Sequence, residues 1–213
     1  MKGVFGIIGC VCLLLTAPAE TAGAQVIDRV LAHVGQQVIT LSDARAAITL
    51  GLVPPVRSAD PIADALATLI DRELMLAEAT RYAAPSPDPA AVERGLAEIR
   101  RRFASDADWK TALEASAMTL DRLRDVIRDN LRVDAYVDQL FSQPAEPTDE
   151  EVARYYEQHR TEFVKDGRQL TLDEARDLAR ERATVARRAA LVADWLDRLR
   201  SRIEVVRLYP PRR

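Results

Sequence analysis

The sequence predicts a mainly α-helical fold of about six helices, with a small β-sheet formed by an N-terminal hairpin and a C-terminal strand. Three observations predict it. Apolar residues recur at spacings of three and four through most of the 213-residue chain. Helix-start signals punctuate it: Asp or Thr followed at once by Pro, or by a run of acidic residues. Alternating β-branched residues are confined to the two ends.

Gln25 to Val34 (QVIDRVLAHV) alternates with a period of two, Gly35-Gln36 is a turn signal, and Gln37 to Thr40 continues extended. This is the hairpin. Ser42-Asp43 can cap a short helix that runs to Leu50-Gly51. Leu52-Val53-Pro54-Pro55-Val56 is a loop, because two prolines forbid a helix interior. Asp60-Pro61 starts the next helix, with Asp as cap and Pro in the first helical position. Ile62, Leu66, Leu69, Ile70 and Leu74 form its apolar face, up to about Tyr82.

Ala83 to Pro89 (AAPSPDP) is a linker, and Asp88-Pro89 starts a helix to about Phe103. Asp106 to Ala117 is another, with Trp109, Leu113 and Met118 near one side. Thr119 caps a long helix through Leu123, Ile127, Leu131 and Leu140, ended by Ser142 to Pro147 (SQPAEP). Thr148-Asp149-Glu150-Glu151 is a capping box for a helix ending near Phe163. Val164 to Gln169 is a polar connection with Asp166-Gly167 as its turn, and Thr171 caps the last helix. There Leu178, Val185, Val192 and Leu199 recur every seven residues, a narrow seam on a helix roughly 45 Å long. Ile203 to Tyr209 is the final strand. A lone hairpin is marginal in water, so this strand is expected to pair with the N-terminal hairpin and clamp the helices. The helical core then covers about 42–163, the closing helix 171–201 and the strand 203–209, in a single domain over 25–213.

The first 24 residues read as a signal peptide. Lys2 is followed by the apolar run Val4 to Leu15, and Ala22-Gly23-Ala24 offers small residues for cleavage after Ala24. The run is too short to span a bilayer, which takes about 20 residues, and no later stretch is longer. Both cysteines, Cys10 and Cys12, lie inside it. Ile7-Ile8-Gly9-Cys10 looks like a lipoprotein box, but a cut there would leave Leu13-Leu14-Leu15 at the mature terminus. Cleavage at Ala24 leaves a mature chain without thiols, which suits an oxidising compartment and excludes thiol chemistry and Cys-held zinc.

Thirty basic and 33 acidic residues give a formal charge of -3, no field for binding nucleic acid. Only Lys2, Lys110 and Lys165 are lysines; the other bases are arginines. Phosphate loops and the common hydrolase and metalloprotease motifs do not occur. His33, in a predicted strand, reads as a partly buried structural residue, and His159 as a group at a helix C-terminus. Arg176, Arg180, Arg187 and Arg188 alternate with acids, a solvated helix face with local ion pairs. No catalytic, cofactor or metal site is expected. What remains is apolar character in unusual places: Leu52, Val53 and Val56 in the proline loop, Phe103, Trp109 and Met118 around one short helix, and Tyr155 beside Tyr156. These are the candidate binding residues, each also readable as core.

Several segments in order carry a resemblance. Val26 to Asp43, with its Val38-Ile39-Thr40 and Ser42-Asp43, resembles the opening of the SurA family of periplasmic chaperones. Ala63 to Ala79 (ADALATLIDRELMLAEA), Leu120 to Leu140, Thr148 to Phe163 (TDEEVARYYEQHRTEF) and Trp195 to Val205 are similar to its later helices and closing strand. Family members usually carry parvulin-type prolyl isomerase domains between the Tyr-Tyr helix and the last helix. Here only Val164 to Gln169 fills that place, and Gly35 stands at a turn position that is usually Asn. The resemblance therefore implies a chaperone module without the isomerase, not an enzyme. It implies a periplasmic, ATP-independent binder of unfolded or nascent exported polypeptides, outer-membrane β-barrel proteins among them. Two alternatives stay open: a dedicated partner-binding subunit, including a homodimer through the α-helical seam, and an isomerase by family name only.

Overall fold

The computed structural model of the protein describes residues 28–55, 58–142 and 146–210. The expected signal peptide with Cys10, and Val56, lie outside them. The hairpin is β1 (Val30–Val34) and β2 (Gln37–Thr40), and it turns at Gly35 with φ +56°. The C-terminal strand is shorter than expected, Val205–Arg207, and pairs antiparallel with β1. The sheet order is therefore hairpin edge, β1, C-terminal strand, and Gly35 N–H donates to Glu204 O at 2.8 Å to lock the corner. The first and last strands of the described residues do close on each other.

Seven α-helices stand among the described residues: α1 (Leu41–Thr49), α2 (Pro61–Arg81), α3 (Pro89–Arg100), α4 (Asp106–Ala115), α5 (Leu120–Leu140), α6 (Asp149–Gln158) and α7 (Leu172–Arg202). Each corresponds to one of the helices read in order from the sequence, the total of about six having been a round number. Ser105 Oγ accepts from Asp108 N–H at 3.1 Å to start α4. α1 is capped by Thr40, not by Ser42. Thr40 Oγ1 accepts from Asp43 N–H at 3.2 Å, and the Asp43 carboxylate accepts from Thr40 N–H at 2.9 Å. β2 runs straight into the helix, so the last strand residue is the cap, and Ser42 N–H turns to Asp28 instead. α1 stops at Gly51, φ +64°, where a side chain would be strained.

The other predicted caps are in place. Asp60, Asp88, Thr119, Thr148 and Thr171 each accept from an amide of the first turn. α6 ends at Gln158, and one 3₁₀ turn, Arg160–Glu162, carries the chain to Phe163. The connection 164–169 is itself ordered, with strands β3 (Val164–Lys165) and β4 (Arg168–Gln169), so the C-terminal strand becomes β5. Asp166 and Gly167 both have positive φ, 50° and 73°, the backbone of a two-residue hairpin turn.

Burial divides into three cores. The first packs the sheet on α1, α2 and the C-terminal half of α7 through Leu31, Leu66, Ile70, Leu74, Trp195 and Leu199. The second joins α1, α3, α4 and α5 through Leu50, Val92, Ile99, Trp109, Leu123 and Ile127. The third lies between α6 and the N-terminal half of α7, with Val152, Tyr156 and Phe163 over Ala175, Ala179 and Ala183. The predicted seven-residue seam of α7 is not one surface. Leu199 is fully buried, but Leu178 and Val185 are 38% and 66% exposed. The buried positions facing α6 are instead three alanines four residues apart, Ala175, Ala179 and Ala183, whose small side chains let α6 lie close. The arginine face also differs from expectation. Arg176 pairs locally with Asp173, whereas Arg180, Arg187 and Arg188 reach Asp149, Glu151 and Asp138 on other elements. No described helix is long and apolar enough to cross a membrane.

Candidate functional site

Several clefts open on the helical body, and three of them gather large apolar side chains from distant elements. The first lies between α2 and α5, closed at one end by β2 and the loop after α1, and encloses about 180 Å³. Leu52 and Val53 come from the proline loop, and Met118 comes from the turn before α5. Leu76 and Val126 complete the wall. Three of the predicted residues thus meet here from distant parts of the sequence. Val53 and Met118 are buried, at 9% and 8% exposure, and present only an edge to the cleft.

The polar lining of this cleft is mixed: Gln37, Asn130, Arg72 and Arg122 stand beside the acids Asp43, Glu73 and Asp129. Glu73 on α2 and Asp129 on α5 both face it. Burial pushes the Glu73 carboxyl above the usual range, and the charges of Asp129 and Asp43 push the same way. Burial likewise raises Asp129, against the pull of Arg128. Neither carboxylate has an ion pair or hydrogen bond among the described residues. The neighbouring arginines are engaged elsewhere: Arg72 with Asp134 at 2.9 Å, Arg122 with Asp43 at 2.8 Å.

The second cleft, about 550 Å³, lies where the C-terminal ends of α2 and α5 meet α7. Trp195 forms its floor, with Phe141 edge-on at 5.8 Å and Tyr136 tilted at 6.3 Å between ring centroids. Tyr82 and Leu140 stand on its rim, 59% and 47% exposed. Sequence reading missed this groove. Its only local signal is an apolar residue left at a helix end immediately before a Pro-rich linker, Tyr82 before AAPSPDP and Leu140-Phe141 before SQPAEP.

The third, about 600 Å³, brings together Phe103 and Trp109, whose rings tilt at 5.3 Å, with Leu96 and the 41%-exposed Leu120. Trp109, at 7% exposure, is core that shows one edge. Val53, Trp109 and Met118 each pack a core and show an edge in a cleft, so the core reading and the binding reading meet in the same side chains. Leu52 and Phe103 are half-buried against the same cores. Tyr155 belongs to none of the three clefts. It stacks on His159 at 4.0 Å beside the third core, and His159 sits at the α6 C-terminus, Nδ1 2.9 Å from Tyr155 O. His33 is half-buried in β1, as expected.

Neither a family model nor a curated protein matches the sequence. Among solved structures, one chain comes from a study of PEB4 and Cj1289 of Campylobacter jejuni, a virulence factor and a periplasmic protein described as two structurally related SurA-like chaperones. It matches with a TM-score of 0.52 and 12% identity, over 85% of this chain and 99% of that one. The fold is similar to that of a SurA-like chaperone. At this identity the likeness concerns the fold alone.

Proposed function

We propose that the protein is an ATP-independent chaperone-type binder of unfolded or nascent exported polypeptides, including outer-membrane β-barrel proteins, and that it works in the periplasm. Its mechanism is reversible burial of apolar segments in the clefts, which makes and breaks no bond and uses no cofactor. Apolar contact is non-directional and scales with area, so one groove can accept many sequences. The observation that carries this reading is the aromatic groove. Tyr82 and Leu140 stay exposed on its rim although Trp195, Phe141 and Tyr136 beneath them could bury more apolar surface. The fold likeness supports a chaperone-type role, and the signal-like N-terminal sequence supports export.

The test is light scattering of an unfolded β-barrel membrane protein diluted from urea into rising amounts of the purified protein. Suppression near equimolar ratio without ATP is expected. No suppression by protein that circular dichroism shows to be folded would overturn the reading. A proline-peptide assay at catalytic concentration is expected to show only the uncatalysed rate. A second reading, a dedicated partner-binding subunit, is favoured by Leu178 and Val185 standing exposed on α7. A stable oligomer on sizing that ignores unfolded clients would select it.

A further inference from the structure

The cleft between α2 and α5 is apolar on its walls and acidic at Glu73 and Asp129, and this combination specifies an occupant. Leu52, Leu76 and Val126 offer apolar contact. The two carboxylates come from opposite helices, and neither has an ion pair or a hydrogen bond among the described residues. Arg72 and Arg122, which also line the cleft, pair with Asp134 and Asp43, and Arg128 and Arg132 bond to Asp125 and to Ala84 O. Asp43, the third acid of the cleft, is also spent, on Arg122 and on the cap of α1. In a chain whose arginines form ion pairs on almost every helix, two half-buried and unpaired carboxylates are a standing cost.

We propose that this cleft docks a polypeptide segment carrying a Lys or Arg among apolar residues, with the cationic group held between Glu73 and Asp129. The inference rests on the polypeptide-binding reading above and adds a preference within it. Charge complementarity names the occupant. A long basic side chain lays its methylene stem on the apolar wall and brings its charge to the acids, which an apolar segment leaves unpaired. A metal ion fits less well, because no cluster of three or more metal-ligating side chains exists among the described residues. Burial raises both carboxyl groups, and the charge of Asp129 raises Glu73 further; a cation entering between them relieves both effects.

The experiment compares two end-capped, dansyl-labelled peptides of Leu and Ala, one with a single central Lys and one with norleucine there. Wild-type protein is expected to bind the Lys peptide about tenfold more tightly at low salt. The preference should shrink with added salt and vanish in Glu73→Gln/Asp129→Asn, whose side chains keep their shape. Glu73→Gln alone, checked by circular dichroism, serves if the double variant unfolds. Equal binding of both peptides by wild type, or a preference that survives in the variants, overturns the proposal. So does displacement of the Lys peptide by calcium alone, which would assign the acids to an inorganic cation. If neither peptide binds and the light-scattering assay also fails, the chaperone reading falls with it; if suppression succeeds without any Lys preference, only this inference falls.

Discussion

Arg202, in the last turn of α7, donates to the carboxylate of Glu78 on α2 at 2.8 Å, joining residues 124 apart in sequence. Glu78 is 6% exposed, a buried charge held by one partner at the far end of the chain. The bond sits beside the sheet closure and holds the closing helix against α2, where the aromatic groove forms.

Removing that partner leaves a buried carboxylate unsatisfied. Arg202→Ala is expected to cost about 2 kcal/mol, seen as a Tm lower by about 4–8 °C in thermal unfolding followed by circular dichroism. An unchanged Tm would mean that solvent satisfies Glu78.

Two substitutions separate the halves of the predicted α7 seam. Leu199→Ala, at a fully buried position, should cost about 2–5 kcal/mol in urea unfolding. Val185→Ala, at 66% exposure, should stay within about 0.5 kcal/mol. Equal costs would show that the seam packs as one surface.

The aromatic groove separates binding from folding. Tyr82→Ser/Leu140→Ser changes two rim residues and should leave Tm within about 2 °C. The amount of protein needed for half-maximal suppression of client aggregation should rise several-fold. Full suppression by this variant would move binding to another cleft.

Glu73 supplies a pH dependence whose sign follows from burial. Its folded carboxyl titrates above its ordinary value, with Asp129 on α5 and Asp43 on α1 adding repulsion and Arg72 and Arg122 turned to other acids. A raised carboxyl contributes stability below its ordinary range and loses it as pH rises through the folded value. Glu73→Gln should therefore raise Tm at pH 7, by about 1–2 °C because solvent screens a half-open cleft. The advantage should fade in mild acid. A lower Tm at pH 7 would mean that Glu73 has a stabilising partner.

Glu174 shows the opposite sign. The Arg168 fork, at 2.8 and 3.0 Å, and the Thr171 amide hold its carboxyl down to about 2, from an ordinary 4.5. Its stabilising effect is present above 4.5 and is lost as pH falls toward about 2. An NMR titration should place its midpoint near the lower value, with the first turn of α7 loosening over the same interval. A midpoint near 4.5 would show that the fork does not form in solution.

Much of the fold was legible because its signals are local. Asp60-Pro61, Asp88-Pro89 and the Thr148 and Thr171 capping boxes carry their own hydrogen-bond partners within three residues, so no distant contact has to be known. The closure of β5 on β1 was legible for a different reason, since an isolated hairpin is marginal and one further strand was on offer. The α1 cap was misread because Thr40 and Ser42 both bring a hydroxyl, and where β2 ends decides between them.

The candidate site was legible only in part. Sequence alone marked Leu52, Val53, Phe103, Trp109 and Met118 as apolar residues in unusual places, but not which side of each meets solvent. Tertiary packing decided that Val53, Trp109 and Met118 serve the interior and show an edge, and that Tyr155 stands apart. It also assembled the aromatic groove from Tyr82, Tyr136 and Trp195, and left Glu73 and Asp129 unpaired while their neighbours found partners. The chain by itself determined helix starts, turns and the composition of each face, which are set within one or two turns of backbone. Cleft shape and charge pairing depend on which faces meet across α2, α5 and α7, and only long-range packing settles that.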